Sequence, residues 1–271
     1  MVPDRSRRSL LKLGASLPCT ALAGCTATEH HIDTTTPPPT VLSIGESTGG
    51  GRGTVTVQSV RTQLMFVVVK AGVHSEVYRR PDTQYVIVDV STDGVPDPVQ
   101  TVRDAVRLSL DSRQYSVVER DLYRNQRKKN AVSVALSAPA SVSANTGKVV
   151  WTGESSAPDA AWRVPQDVLD ALTAPPEFAV TAFEVPAETT EGSAIEAAVT
   201  VRNSGGSDGT FVAELGPTSR SDQPEVRLRV PRGETTTRVE SVRLYGKAGS
   251  DETITLDWGA GTAERSVHIG P

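Results

Sequence analysis

The feature that most constrains this chain is a hydrophobic period of two that recurs from Thr54 onward. Successive side chains of an extended strand point to opposite faces, so apolar residues at every second position build one face for a core. "TVTVQSV" alternates Thr and Val, "QLMFVVVKA" and "TQYVIVDVS" are β-branched runs, and "AVRLSLDS", "QYSVVER", "AVSVALSA", "KVVWTGE" and "AAWRVP" continue the series. The clusters "AGVHS", "STDGVPDP" and "SANTG" punctuate it with turn-forming residues. About eight strands are predicted here, with one short helical turn in "VPDPVQTVRDA". "PQDVLDALT", residues 165–173, reads as a short helix opened by Pro165 and closed at Ala174-Pro175-Pro176. The double proline is the predicted domain boundary. Beyond it, "FAVTAFEVP", "AIEAAVTVRNSG", "GTFVAELG", "EVRLRVP", "TTRVESVRLYG", "ETITLDWG" and "ERSVHIG" supply seven further strands. The expected fold class is all-β, with two immunoglobulin-like β-sandwich domains in tandem, over 54–174 and 175–271. The absence of a repeated strand–helix–strand pattern weighs against Rossmann, TIM-barrel and periplasmic-type solute-binding folds.

The N-terminus speaks to location. Arg7 and Arg8 precede a weakly apolar run from Leu10 to Leu22, too short and too polar to span the ~30 Å hydrocarbon layer. "SRRSLLK" resembles the twin-arginine export signal, and "LAGC", Leu22 to Cys25, resembles a lipobox. These resemblances imply cleavage between Gly24 and Cys25, lipidation of Cys25, and a place on the extracellular face of the cell membrane. Residues 1–24 are then the signal peptide. Residues 25–53, with "TTTPPPT" and "STGGGRG", read as a flexible tether. Two acyl chains are needed for stable anchoring, so a diacyl-type anchor is expected. Cys19 leaves with the signal, which excludes a disulfide framework and any intramolecular Cys metal site.

The processed chain would carry 24 basic and 31 acidic residues, a charge of −7. That balance argues against general nucleic-acid binding. The whole chain has 22 Arg against 6 Lys, and this composition resembles that of salt-adapted archaeal proteins.

"FEVPAETTEGSAIEAAVTVRNSGGSDGTFVAEL" with "VPRGETTTRVESV" resembles the CARDB group of cell-adhesion-related sandwich domains, over 178–271. "TVTVQSVRT" followed by "TQYVIVDVSTDG" is more distantly similar to telokin-like extracellular lipoprotein domains, over roughly 54–165. The pattern departs after Asp93, where "STDGVPDP" replaces the expected turn. These groups share no catalytic residues, so the resemblance implies a fold and a surface setting only.

Candidate chemistry is sparse. His30 and His31 in "TEHHID" are metal-ligating types, but a tether lacks the fixed geometry and oriented partners of a metal site. His74 lies in a predicted turn and His268 in the last strand. A blue-copper centre fails on residue count, since Met65 is the one methionine beyond the initiator and no free thiol remains. Asp89, Asp93 and Asp97 surround a turn and are hard oxygen ligands suited to Ca²⁺, without EF-hand spacing. Asp and Gly also build turns unaided. No G-x-S-x-G is present, and "GGSDGT" lacks phosphate-loop spacing. Trp151, Trp162 and Trp258 sit within alternating strands and read as core.

The most unusual folded stretch is "RDLYRNQRKKN". Arg120, Arg124, Arg127, Lys128 and Lys129 crowd one connection, and Tyr123 adds a ring for stacking or cation–π contact. The cluster suits an anionic partner: lipid headgroups, a sulfated or uronic glycan, or an acidic envelope protein. A solvated hairpin loop or an edge-blunting cluster is the commoner reason for such a run. The sequence as a whole reads as a non-catalytic binding or adhesion module for an envelope protein or polysaccharide. The competing reading is an accessory subunit that positions an enzyme or transporter complex at the membrane. Neither a cofactor nor a metal is expected.

Overall fold

Strands dominate the chain because period-two runs bounded by turn residues occupy most of it. The computed structural model describes residues 39–50, 53–70, 74–120, 122, 131–152, 158–220, 223 and 225–271. In chain order the elements are β1 (Thr40–Leu42), β2 (Ser47–Gly50), β3 (Gly53–Gln63), β4 (Phe66–Lys70), β5 (His74–Tyr78), β6 (Thr83–Asp93) and helix α1 (Pro98–Ala105). Then follow β7 (Val106–Leu110), β8 (Arg113–Ser116), β9 (Ala131–Pro139), β10 (Gly147–Thr152), β11 (Pro158–Arg163) and helix α2 (Gln166–Thr173). The C-terminal series is β12 (Phe178–Glu184), β13 (Glu188–Thr190), β14 (Ala194–Asn203), β15 (Gly209–Pro217), β16 (Glu225–Val230), β17 (Thr235–Arg243), β18 (Ser250–Asp257) and β19 (Thr262–Gly270). The fold is all-β, with two short helices among the described residues.

Two sheets, ordered β2-β3-β6-β9 and β1-β11-β10-β7-β8, share the first core. Val57, Val86, Val88, Val90, Leu136 and Trp162 meet there. Helix α2 closes this core with Val168, Leu169 and Leu172 on one face, and stops at the double proline, which cannot continue a helix. Its last turn is not left with orphan carbonyls, because Leu172 O accepts from Gln84 Nε2 at 2.8 Å and from the Val142 N–H at 3.0 Å.

Strand β6 is buried on both faces, which explains its unbroken apolar run. Val86, Val88 and Val90 face the first core, whereas Tyr85 and Ile87 join Phe66, Val68, Leu122 and Ala135 in a separate cluster under the β4–β5 hairpin. Phe66 and Tyr85 meet edge to face at 4.9 Å.

The hairpin also uses its other side. Val67 and Val77, with the adjacent Leu64 and Met65, pack into the core of the C-terminal sheets β12-β14-β17 and β13-β19-β18-β15-β16. Residues 37–271 form one compact unit. The chain passes the double proline once, while packing crosses the same frontier elsewhere.

Residues 39–50 differ from the expected tether. Strand β1 pairs in parallel with β11, Thr40 opposite Ala160, and β2 pairs with β3. Leu42 and Ile44 lean on the first core, and Trp162 Nε1 donates to Glu46 O at 2.8 Å. Two apolar residues two apart were the entire signal. Strand β5 likewise replaces part of a predicted turn, and β13 is an eighth C-terminal strand.

The junction after α2 is fastened by one side chain. Asn203 is fully buried; its Oδ1 accepts from the N–H groups of Glu177 and Gly205, each at 3.0 Å. Its Nδ2 donates to Ser207 O at 2.8 Å and Val230 O at 3.0 Å. This is the physical content of the "VTVRNSG" strand and turn.

Candidate functional site

The predicted basic cluster is described in part. Arg120 is exposed, and its guanidinium lies 5.8 Å from the centroid of the Tyr78 ring. Arg80 lies 5.4 Å from the same ring. Neither guanidinium has a carboxylate partner among the described residues. Two cations near one aromatic ring, with no counter-ion among the described residues, make a local positive corner in a net acidic chain. Burial lowers the neighbouring Arg79, and burial pushes the Tyr85 hydroxyl below them up to about 12. Tyr123, Arg124, Arg127, Lys128 and Lys129 lie outside the described residues, as do Arg7, Arg8, Gly24, Cys25, His30 and His31. Tyr78 and Arg80 were not singled out in the sequence; "YRR" at the end of a hairpin strand was the available signal.

The three aspartates considered for calcium are not assembled around a point. Asp89 stands mid-sheet, opposite Ser59 on one side and Ser133 on the other. Ser59 and Ser133 donate to its two oxygens at 2.7 and 2.5 Å, and Arg61 reaches Oδ2 at 2.5 Å. Burial alone would raise Asp89, but the hydroxyls and the Arg61 charge outweigh it and hold the carboxyl below its ordinary value. Asp93 lies four residues on along the same strand, about 13 Å away at strand rise. Asp97 precedes α1 in a left-handed conformation, φ 39°. No group of three or more metal-ligating side chains occurs among the described residues.

The isolated residues have structural surroundings. His74 opens β5, exposed and paired with Lys70 across the hairpin. His268 Nδ1 and Asp251 Oδ1 are 2.8 Å apart on the surface. Trp162 is fully buried, and Trp151 and Trp258 pack partly buried against the first and C-terminal cores. Met65 is fully buried between strands.

Two features had no local sequence signal. The first is a row of acids across the C-terminal sheet, where Glu214 pairs with Glu225 on one side and Asp257 on the other. Glu214 is buried with Oε1 unpartnered. Burial raises its carboxyl, and Asp257, Glu225 and Glu76 raise it further against a hydrogen bond from Ser75.

The second is an open cleft of about 370 Å³ lined by Ser219, Arg220, Tyr245, Gly246, Asp251 and Glu252. Buried Glu252 ties its two walls together. Oε1 accepts from Ser219 Oγ at 2.5 Å, and Oε2 accepts from the N–H groups of Tyr245 at 3.0 Å and Gly246 at 3.1 Å. Burial opposes ionisation there, but these donors and the Arg220 charge prevail and lower the Glu252 carboxyl. Arg220 stacks on Tyr245 at 3.9 Å from the ring centroid.

Among the described residues no helix is long and apolar enough to cross a membrane. No family model matches the chain, and no curated protein matches it. Among solved structures, the β-glucosidase from Listeria innocua aligns with 36% of this chain at 14% identity. The TM-score is 0.31 for its glucose complex and 0.30 for its isofagomine complex and for the protein described without a ligand. The match spans 16% of the β-glucosidase chain. Likeness at that level carries no argument about this protein.

Proposed function

We propose that this protein is a lipid-anchored, cell-surface binding module without catalytic activity, held to the outer face of the membrane through Cys25. Its folded part combines immunoglobulin-like sandwiches, the C-terminal one of CARDB type, and it engages an anionic envelope protein or polysaccharide. The observation that carries the partner class is the Tyr78 corner, where Arg80 and Arg120 lie near one ring with no acidic partner among the described residues. A surface charge left without a counter-ion is available to an incoming anion, and long-range attraction speeds encounter. The basic residues Arg124, Arg127, Lys128 and Lys129 follow a few positions on in the sequence.

The anchor rests on the twin-arginine and lipobox motifs. Fractionation of cells expressing the full chain tests it. The wild type partitions with membranes and is shaved by external protease. Cys25→Ser is exported but released, and Arg7→Lys with Arg8→Lys accumulates unprocessed inside. A Cys25→Ser variant that stays membrane-bound would remove the anchor from the account.

A further inference from the structure

We propose that Glu214 is a proton-operated clasp: with a proton it holds the β4–β5 hairpin down on the C-terminal sheet, and without one it loosens that contact. The inference concerns a contact inside the fold and does not depend on the reading of the Tyr78 corner.

Strand alternation places the clasp. Phe211, Ala213 and Leu215 share one face of β15, and Val212 and Glu214 share the other. Val212 is fully buried and Glu214 is 7% exposed, so this second face is covered as well. The cover is the β4–β5 hairpin, which packs on β15 and brings Val67 and Val77 into the same apolar cluster as Val212. Val67 pairs with Val77, and Val69 with Ser75, so these four share one face of the hairpin. The Ser75 hydroxyl reaches the Glu214 carboxyl from there.

The pairing sets a carboxylate on each side. Glu225 of β16 and Asp257 of β18 stand directly opposite Glu214, where cross-strand side chains lie about 5 Å apart and like charges repel. Each neighbour has its own partner: Glu225 Oε1 accepts from Arg227 at 2.5 Å, and Asp257 Oδ1 accepts from the Gly259 N–H at 2.7 Å. Glu76, on the other face of the hairpin beside Val68, adds a further negative charge. The cations of the surrounding strands offer Glu214 no relief. Arg227 is engaged by Glu225, and Arg61 of β3 by Asp89. Glu214 Oε1 is buried with no partner.

Protonated, the carboxyl carries no charge for Glu225 and Asp257 to oppose. Ionised, it leaves Oε1 as a dry, unpartnered, charged oxygen between two others, which is a costly state. Water relieves it, and water reaches Oε1 only if the hairpin lifts. Ser75 favours the carboxylate, but burial and the three neighbouring acids outweigh it and raise the group. The closed contact therefore binds this proton more tightly than the open one. It is firm within the ordinary carboxylate range and weakens as pH rises through the closed-state value.

The test is NMR on the full-length protein from about pH 4.5 to about pH 8, with a chelator present so that no metal ion substitutes for the proton. Carboxyl ¹³C shifts follow Glu214, assigned by its loss in Glu214→Gln, and amide exchange follows β4 and β5. Glu214 should titrate above the ordinary glutamate value. Over the same interval, protection of the hairpin amides should fall by up to about tenfold per pH unit, the limit for one linked proton. It should stay below that of β10 and β11 throughout. Glu214→Gln should hold the hairpin protection flat. Asp257→Asn, which keeps the Gly259 bond and removes one neighbouring charge, should move the midpoint to lower pH. A Glu214 titration at the ordinary value, hairpin protection that ignores it, or the same loss in Glu214→Gln would overturn the proposal. So would hairpin protection equal to that of β10 and β11, since the hairpin would then open only with the whole fold.

Discussion

Asn203 Oδ1 accepts a hydrogen bond of 3.0 Å from the Glu177 N–H, joining the segment after the double proline to the turn that follows β14. The same amide satisfies three other backbone groups. Asn203→Ala therefore strands two N–H donors and two carbonyls, the Val230 carbonyl in a buried place and the other three partly buried. We expect a loss of about 3 kcal/mol in urea unfolding. A loss below about 0.5 kcal/mol, the range of an ordinary surface change, would show that water replaces the amide.

Glu214 carries a pH signature of defined sign. Its folded-state carboxyl is raised, so the folded protein holds that proton more tightly than the unfolded chain. Stability falls as pH rises from the ordinary carboxylate range through the folded-state value. Glu214→Gln, which imitates the protonated form, should be more stable than wild type at pH 7 and equal to it below about pH 4. Thermal melting across pH checks both arms.

Glu252 runs the other way. Its carboxyl is lowered in the fold, so its stabilisation is present above the ordinary carboxylate value and is lost as pH falls through the folded-state value. Glu252→Gln turns an amide N–H₂ toward donors from Ser219, Tyr245 or Gly246. It should destabilise at pH 7 and flatten the acid side of the profile. Its Arg220–Tyr245 stack should loosen too, visible as faster exchange of the Tyr245 and Gly246 amides.

The strands were legible because alternation is written locally. Burial of one face requires nothing beyond neighbours two residues apart, and β7, β14 and β18 carry that pattern plainly. Strands β1 and β13 were missed because each is a three-residue edge piece whose partner, Ala160 for Thr40 and His268 for Glu188, lies far along the chain, and β2 because its "STGG" carries no apolar alternation although it pairs with the adjacent β3. The reach of Leu64, Met65 and Val67 into the C-terminal core was also hidden, since a strand apolar on both faces does not name which core each face meets. Sites fared similarly. Arg120 was visible in a charge run, but its relation to Tyr78 depends on the β4–β5 hairpin lying over β6. Arg220 and Tyr245 stand 25 positions apart in unremarkable loops, brought together only by the sheet between them.

The Tyr78 corner predicts a salt-sensitive interaction. Arg80→Glu with Arg120→Glu should lower the salt needed to elute the protein from immobilised dextran sulfate, and Arg→Lys at both sites should largely keep it. Folding stability should fall by no more than about 1 kcal/mol, the scale of exposed cation–π contacts. Unchanged elution would place the attraction elsewhere.

The most direct test of the central claim is cross-linked capture of the full-length protein from its native membrane, with mass spectrometry and glycan analysis of what is retained. Cys25→Ser and the Arg80→Glu, Arg120→Glu pair serve as controls. We expect an anionic protein or polysaccharide in reproducible ratio with the wild type, diminished by both controls. A partner held equally by the charge-reversed variant, or none at all from an anchored wild type, would contradict it.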